Sequence, residues 1–542
     1  MKKLCLILSL FTIISVAKSQ NLPILDKIKS QNEKLPIEKL YLTVDKPYYN
    51  AGDTIWFKSF LLNGDLTAAQ RSDKIHVELY NDSLRIVDSK VIALNNGLGY
   101  GDFDLPNKMY EGTYTIRSYS NWQQNFGSDY FFQKSFYIGN AGEKTWLLDS
   151  YQKLNSLGAK KTLELKVRIT NIRDEAAGLK DVELILMNDK KRLMKADLQT
   201  TIAGLVDTKI PLGENKLSGN YSLMIIDKKD RSRQATLPII LQEVDQVDLQ
   251  FMPEGGHMVN EIYGKVAFKA IGADGLGKKL SGKIVNNKNE VMADFSTTHQ
   301  GMGSFYLMPK LGDTYTAVYN LNDMEQKAIL PLAKEEGTAL RIDHLSNKDS
   351  IYVYIKASTL NRLPNYQFTA QHANDVVLAA SINLSAGLAI LKLPKQDFPD
   401  GIIHFTLFSP SNAVLNERIA LINRKQKINL QIKENKPSYA LKDSVSLEIT
   451  ATNESGEPLS GSFAIAVTDD GQVKQQSTEN IVSHFLLQSD LKGNIEDAAW
   501  YFKNDDEKTK SALDHLLLTQ GWIGYKWEQI MVPISEPVFK PE

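Results

Sequence analysis

Cysteine is almost absent: the only one among 542 residues is Cys5. It lies inside the apolar run Leu4 to Val16, which follows Lys2 and Lys3 and precedes the small residues Ala17 and Ser19. A short positive region, an apolar run and small residues at the cleavage positions make a secretory signal peptide, cut after Ser19. The run falls short of the roughly 20 residues that a spanning helix needs. Cys5 lies within the run and not at its end, so a lipoprotein anchor is not expected. The mature chain then contains no cysteine. That excludes Cys-ligated zinc, thiol nucleophiles and an internal thioester. It also leaves apolar burial, not disulfides, to hold an exported protein together. With a net charge of −1 the chain lacks the basic face that nucleic acid demands. No second apolar run is long enough to cross a bilayer, so no transmembrane segment is expected in the mature chain.

Long helical periodicity is scarce up to about residue 470. Short alternating runs take its place, such as Ile75-His76-Val77-Glu78-Leu79-Tyr80 and Val182-Glu183-Leu184-Ile185-Leu186, bounded by Gly, Asn, Asp and Pro. Many short strands at regular spacing favour β-sandwiches. Three signatures repeat. A glycine followed by an aromatic and an alternating strand occurs at Gly112-Thr113-Tyr114, Gly219-Asn220-Tyr221, Gly303-Ser304-Phe305 and, more loosely, Gly401-Ile402-Ile403-His404-Phe405. A proline-stiffened opening occurs at Lys46-Pro47-Tyr48-Tyr49 and again at Lys436-Pro437-Ser438-Tyr439. A turn feeding a strand occurs at Gly178-Leu179, Gly277-Lys278 and Gly456-Glu457. Repetition at about a hundred residues means an array of domains.

The expected organisation is a signal peptide (1–19), a linker (20–37) and sandwiches at 38–141, 142–244, 245–335 and 336–425. The strands of a fifth domain (426–475), a helical segment (476–530) and a Pro-rich tail (531–542) follow. In the helical segment, Ala512, Leu513, Leu516 and Leu517 share one helix face, and Gly521 caps its end.

The blocks Glu38-Lys39-Leu40-Tyr41-Leu42-Thr43-Val44-Asp45-Lys46-Pro47-Tyr48-Tyr49 and Ala51-Gly52-Asp53-Thr54-Ile55-Trp56-Phe57 resemble the opening of the second macroglobulin domain of alpha-2-macroglobulin-like proteins. Phe251-Met252-Pro253-Glu254-Gly255-Gly256, His299-Gln300-Gly301-Met302-Gly303 and Leu518-Thr519-Gln520-Gly521-Trp522 resemble the exported, Bacteroidota-type members. The resemblance implies an all-β fold, a tandem array of seven-stranded macroglobulin-like sandwiches with a small C-terminal helical segment. It also implies endopeptidase-inhibitor activity by homology, and frequent fusion to a TonB-dependent receptor plug. The chain departs from the family by having no thioester motif and by stopping where plug-bearing members continue.

No catalytic, metal or cofactor site is expected. His257 and His299 lack a third converging ligand. Gly97-x-Gly99-x-Gly101 and Gly255-Gly256 have strands on both sides, so they read as sandwich turns and not phosphate cradles. Asp469-Asp470-Gly471 and Asp505-Asp506-Glu507 lack calcium-loop spacing. No Gly-x-Ser-x-Gly elbow is present. The aromatics Trp500, Tyr501, Trp522, Tyr525 and Trp527 crowd one short region, as at protein-binding hot spots or where helices pack on a sandwich. The expected function is a non-catalytic envelope scaffold. Its partner is a protein, either a TonB-dependent receptor or a protease, and not nucleic acid. Protease inhibition without a thioester and carbohydrate binding are the alternatives.

Overall fold

The computed structural model of the chain describes residues 23–139, 146–157, 160–171, 175–189, 191–213, 221–239, 247–321, 324–373, 375–424, 428–469, 473, 478–521 and 536–542. Residues 1–19, read as a signal peptide, lie outside them.

Four sandwiches follow one another with a single topology. In the second, one sheet holds Leu147–Leu157, Lys160–Thr170 and Leu205–Gly213. The other holds Asp181–Asn188, Lys191–Gln199, Tyr221–Asp227 and Gln234–Ile239. Counted in chain order, strands one, two and five pair as 1-2-5, and the rest pair as 4-3-6-7. The units at 247–329 and 338–422 repeat this order. So does the first, at 38–139, with an added short strand, Tyr48–Asn50, running parallel to Phe132–Gly139. The alternation read in the sequence becomes two-faced strands: along Lys74–Tyr80, Ile75, Val77 and Leu79 point into the core. Each sandwich closes its own core.

The proline-stiffened opening is a small hydrogen-bonded knot that occurs twice. In the first copy the Tyr49 hydroxyl donates to Asp45 (2.7 Å) and accepts from the Lys46 N–H (3.2 Å). Asp45 also takes the Trp56 N–H (3.0 Å), while Asp53 takes the Asn50 N–H (3.1 Å) and the Lys46 ammonium (2.7 Å). At 435–446 every bond recurs 390 positions on, with Asn435 in place of Asp45. Strands Asn429–Glu434 and Leu447–Thr452 then pair as the first two of a fifth unit.

Two features depart from the sequence reading. The Gly-x-aromatic signature opens the sixth strand at Gly112 and Gly401 and precedes it at Tyr221, but Gly303 lies in a fifth strand, Met302–Leu307. The sixth strand of that unit is Tyr315–Leu321. Glycine next to an aromatic serves either strand, because both strands pack an aromatic into the core.

The second feature is the glycine whose position is constant, which is a different one. Gly97, Gly204, Gly301 and Gly387 all have φ between +71° and +80°. Each offers its carbonyl to a second-strand N–H, that of Leu61, Ile169, Ala270 and Ala357, at 2.7–3.0 Å. In the first three units a Cβ there would run into a second-strand carbonyl oxygen. In addition, the segment read as a linker carries helix α1 (Pro23–Lys34). Its Ile28 is buried, and its Asn32 bonds Asp375 of the fourth sandwich.

Gly301→Ala is expected to destabilise the third sandwich by about 3 kcal/mol, from left-handed strain plus the close carbonyl. Denaturant unfolding of the variant measures this. A loss under about 0.5 kcal/mol would contradict the account.

Candidate interaction site

After the fifth-unit strands the chain turns helical, and this segment wedges between the first, third and fourth sandwiches. Helix α2 (Ile481–Leu486) starts at a reciprocal cap: Asn480 Oδ1 accepts the Ser483 N–H, and Ser483 Oγ accepts the Asn480 N–H, each at 2.9 Å. The helix turns Phe485 into the core of the first sandwich, beside Tyr41. His484 Nε2 reaches the Leu40 carbonyl at 2.9 Å, so that nitrogen carries the proton. Lys39, buried on the first strand, meets Asp490 at 2.6 Å, and Lys134 meets Glu479 at 2.7 Å.

The next contacts reach the third sandwich. Glu496 accepts the Gly277 N–H (2.8 Å). Trp500 stacks on His299 with ring centroids 3.8 Å apart, and Tyr501 meets the same imidazole edge-on. Helix α3 (Glu507–Gln520) is capped by Asp506, which accepts the Thr509 N–H at 2.7 Å. Its apolar face, Ala512, Leu516 and Leu517, packs on Ile402, Ile419 and Leu421 of the fourth sandwich and on Met302 of the third. Gly521 ends the helix at φ −78°, outside the left-handed region. A side chain there would strike Ile419 and the Leu517 carbonyl, so close approach is what demands glycine.

The other face of α3 carries charge into the junction. Asp514 accepts from Arg418 of the fourth sandwich and from Lys265 of the third (3.1 Å). Arg418 also meets Glu254 of the third sandwich at 3.2 Å, and Glu254 accepts the Ile342 N–H. His515 lies between the Thr298 and Ser304 hydroxyls, each 2.9 Å away. Burial raises the Glu254 pKa more than Arg418 lowers it. For Asp514 burial acts in the same direction, but Arg418 and Lys265 together hold it well below the usual carboxylate range. Lys265 pairs with Asp514, and Arg418 pairs with both carboxylates. Burial pushes His344 and His515 down to about 4, and His484 likewise. All three are neutral near pH 7.

Of the five aromatics singled out in the sequence, Trp500 and Tyr501 are placed in this wedge, with Tyr501 buried. Trp522, Tyr525 and Trp527 lie outside the described residues. His257 rests against Gly337 on the third sandwich's side of the junction with the fourth. Among the described residues no group of three or more His, Cys, Asp and Glu is arranged to hold a metal ion. No helix among them is long and apolar enough to cross a membrane. The sequence reading missed Lys39, Lys265, Arg418 and Asp514. Each sits in a strand or helix that carries other charges as well, with its partner 96 to 451 positions away.

The fold and this junction define a class: a tandem β-sandwich, macroglobulin-like protein whose units are locked by a helical insert. Residues 39–133 match the MG2 domain, which makes the first sandwich a macroglobulin domain. Among solved structures, the chain is similar to the native conformation of E. coli alpha-2-macroglobulin, with 11% identity and a TM-score of 0.32 over 78% of this chain and 31% of that one. Salmonella alpha-2-macroglobulin reacted with methylamine gives 11% identity and a TM-score of 0.32 over 77% and 32%. The chain thus spans about a third of the length of these proteins. No curated protein matches it.

Two outcomes follow from the junction. Arg418→Met leaves Asp514 and Glu254 without their shared cation and is expected to cost about 3–5 kcal/mol; an unfolding midpoint like that of the parent would contradict this. The histidines set the pH dependence. Unfolded, each binds a proton near pH 6.5; folded, only near 4, so the unfolded state holds more protons between those values. Stability should therefore fall as pH drops from 6.5 to 4, and His515→Asn should flatten that slope. Glu254, with its raised pKa, opposes this trend, so the comparison is with the parent: a His515→Asn variant whose melting temperature follows pH as the parent's does would refute the assignment.

Proposed function

We propose that the chain is a non-catalytic, exported macroglobulin-like scaffold of the bacterial envelope that holds a protein partner beside TonB-dependent outer-membrane transport. The observation that carries this reading is the use made of the ionisable groups. The most perturbed carboxylates and histidines, Asp514, Glu254, His344, His404, His484 and His515, lie between sandwiches or between a sandwich and a helix, paired or buried there. Such groups at an active site would line an open cleft and face a substrate. Here they fasten domains. The envelope location rests on the signal peptide, and the transport association on the resemblance to plug-bearing bacterial members. Trp500 and Tyr501 are engaged in packing, so contact with the partner falls to Trp522, Tyr525 and Trp527 beyond α3. Photo-crosslinkers placed at these three positions in intact cells are expected to capture one envelope protein. Recovery of the chain without any foreign partner would overturn the reading.

Protease inhibition without a thioester is the second reading, favoured by the MG2 match at 39–133. Incubation with broad-specificity proteases separates the two. On the scaffold reading the protease stays fully active on a protein substrate; loss of that activity would favour inhibition.

A further inference from the structure

Residues 536–542 return to the first sandwich and are held there by their backbone. Asn125 Oδ1 accepts the Phe539 N–H at 3.0 Å, and Asn125 Nδ2 donates to the Phe539 carbonyl at 2.8 Å. Asn121 Nδ2 donates to the Lys540 carbonyl at 2.9 Å, and the Asp73 N–H donates to the Glu542 carbonyl at 2.6 Å. An asparagine side chain carries the same donor and acceptor as a backbone amide. Asn125 therefore stands in for a neighbouring strand, which bonds one residue through both its N–H and its C=O. Glu542 is bonded through its carbonyl, a group that any residue has, so the contact does not require a chain end there.

The clamp is fixed by bonds that do not involve the segment. Asn121 precedes the short helical turn Trp122–Asn125, and Asn125 ends it. Trp122 is buried and its Nε1 donates to the Pro36 carbonyl at 2.7 Å. The buried Gln123 side chain accepts the Ser120 N–H (2.9 Å) and donates to the carbonyls of Glu38 (3.2 Å) and Tyr130 (2.9 Å). Asn125 Nδ2 also donates to the Trp122 carbonyl at 2.9 Å, and Asn121 Oδ1 accepts from Gln124 Nε2 at 2.6 Å. Both amides are thereby held in the orientation that the segment needs, which is what preorganises a binding site.

The segment itself is lightly held. It forms neither helix nor strand, and none of its residues is buried. Val538 is 82% exposed and Phe539 37%. Pro537 and Pro541, which have no N–H to offer, lie on either side of the clamped residue. Segments with so little buried apolar surface open more readily than the cores they rest on.

We propose that the first sandwich carries a peptide-binding groove centred on Asn125, and that residues 536–542 occupy it as a displaceable ligand in cis. The class of ligand it takes is a proline-flanked peptide read through its backbone, with an aromatic at the clamped position. Recognition through main-chain bonds leaves the outward side chains free to vary, so a partner polypeptide with the same pattern competes for the groove. The groove is separate from the aromatics beyond α3 and does not rest on what those touch. A segment on the same chain meets its site at an effective concentration of about 1 mM, so occupancy in cis requires a dissociation constant of that order or tighter.

The chain from Gln20 onward has no cysteine, so a nitroxide on Val538→Cys reports this segment alone, from a side chain that faces solvent. The labelled chain should give the spectrum of a restrained label. The free peptide of residues 536–542, capped at both ends and added at about 10 mM, tenfold above the effective concentration, should release about nine in ten segments. The same peptide with Phe539→Pro, which lacks the clamped N–H, should release almost none. Asn125→Ala, with its folding checked by circular dichroism, should release the segment without any peptide. The two peptides test the unaltered groove even where that variant misfolds. A label already mobile in the parent, a label still restrained under the parent peptide or in folded Asn125→Ala, or equal release by the two peptides would each overturn the proposal.

Discussion

Asp514 is the point on which the assembled shape depends. It projects from α3 into a buried junction and draws Lys265 from the third sandwich and Arg418 from the fourth onto one carboxylate. Arg418 then reaches back to Glu254 of the third sandwich. About 20 residues earlier, Asp490 does the same for Lys39 of the first sandwich. Buried ion pairs are poor sources of net stability, since well-packed apolar residues often serve as well. What they supply here is registry: every charge is matched only when three sandwiches and the helical segment stand in one arrangement.

This places two kinds of force at two levels. Within each sandwich, apolar burial and turn chemistry suffice, and the four cores do not depend on one another. Between sandwiches, a few polar contacts and one mixed cluster around Leu516 and Leu517 set the geometry. The chain is also closed on itself. The turn at Gly64 of the first sandwich approaches Ala373 of the fourth so closely that a Cβ on Gly64 would lie 2.8 Å from the Ala373 methyl. Helix α1 bridges the same pair through Asn32 and Asp375. The C-terminal residues add another contact on the first sandwich, where the Asp73 N–H meets the Glu542 carbonyl at 2.6 Å.

The local level was legible in the sequence because it is written in neighbouring residues. Alternation gave the strands away, and the repeated Lys-Pro opening marked where the knot recurs, though not its hydrogen bonds. Helical spacing at 512–517 gave α3 and its buried face. The Gly-x-aromatic signature misled at Gly303 because two different strands of one sandwich can carry it. The glycine with the constant role, at 97, 204, 301 and 387, was not read as a repeat: the one shared neighbour is the leucine or methionine after it (Leu98, Leu205, Met302 and Leu388), a pair too common to stand out, and the shared backbone angle and carbonyl bond leave no mark in the sequence. The junction was not legible at all. Lys39, Lys265 and Arg418 sit in strands as any solvated cation would, and pairings across hundreds of residues leave no periodic trace. The sequence reading treated His257 and His299 as poor metal ligands, and nothing in the sequence indicated that His515 and His484 would be buried in the joints.

The central claim is that the segment 478–520 holds the array closed. Small-angle X-ray scattering of the chain, beside a variant in which 478–520 is replaced by a Gly/Ser linker of equal length, tests it most directly. The account predicts that the variant keeps its β-sheet circular dichroism while its radius of gyration and maximum dimension increase, as the first, third and fourth sandwiches come apart. Superimposable scattering curves for the two proteins would contradict it.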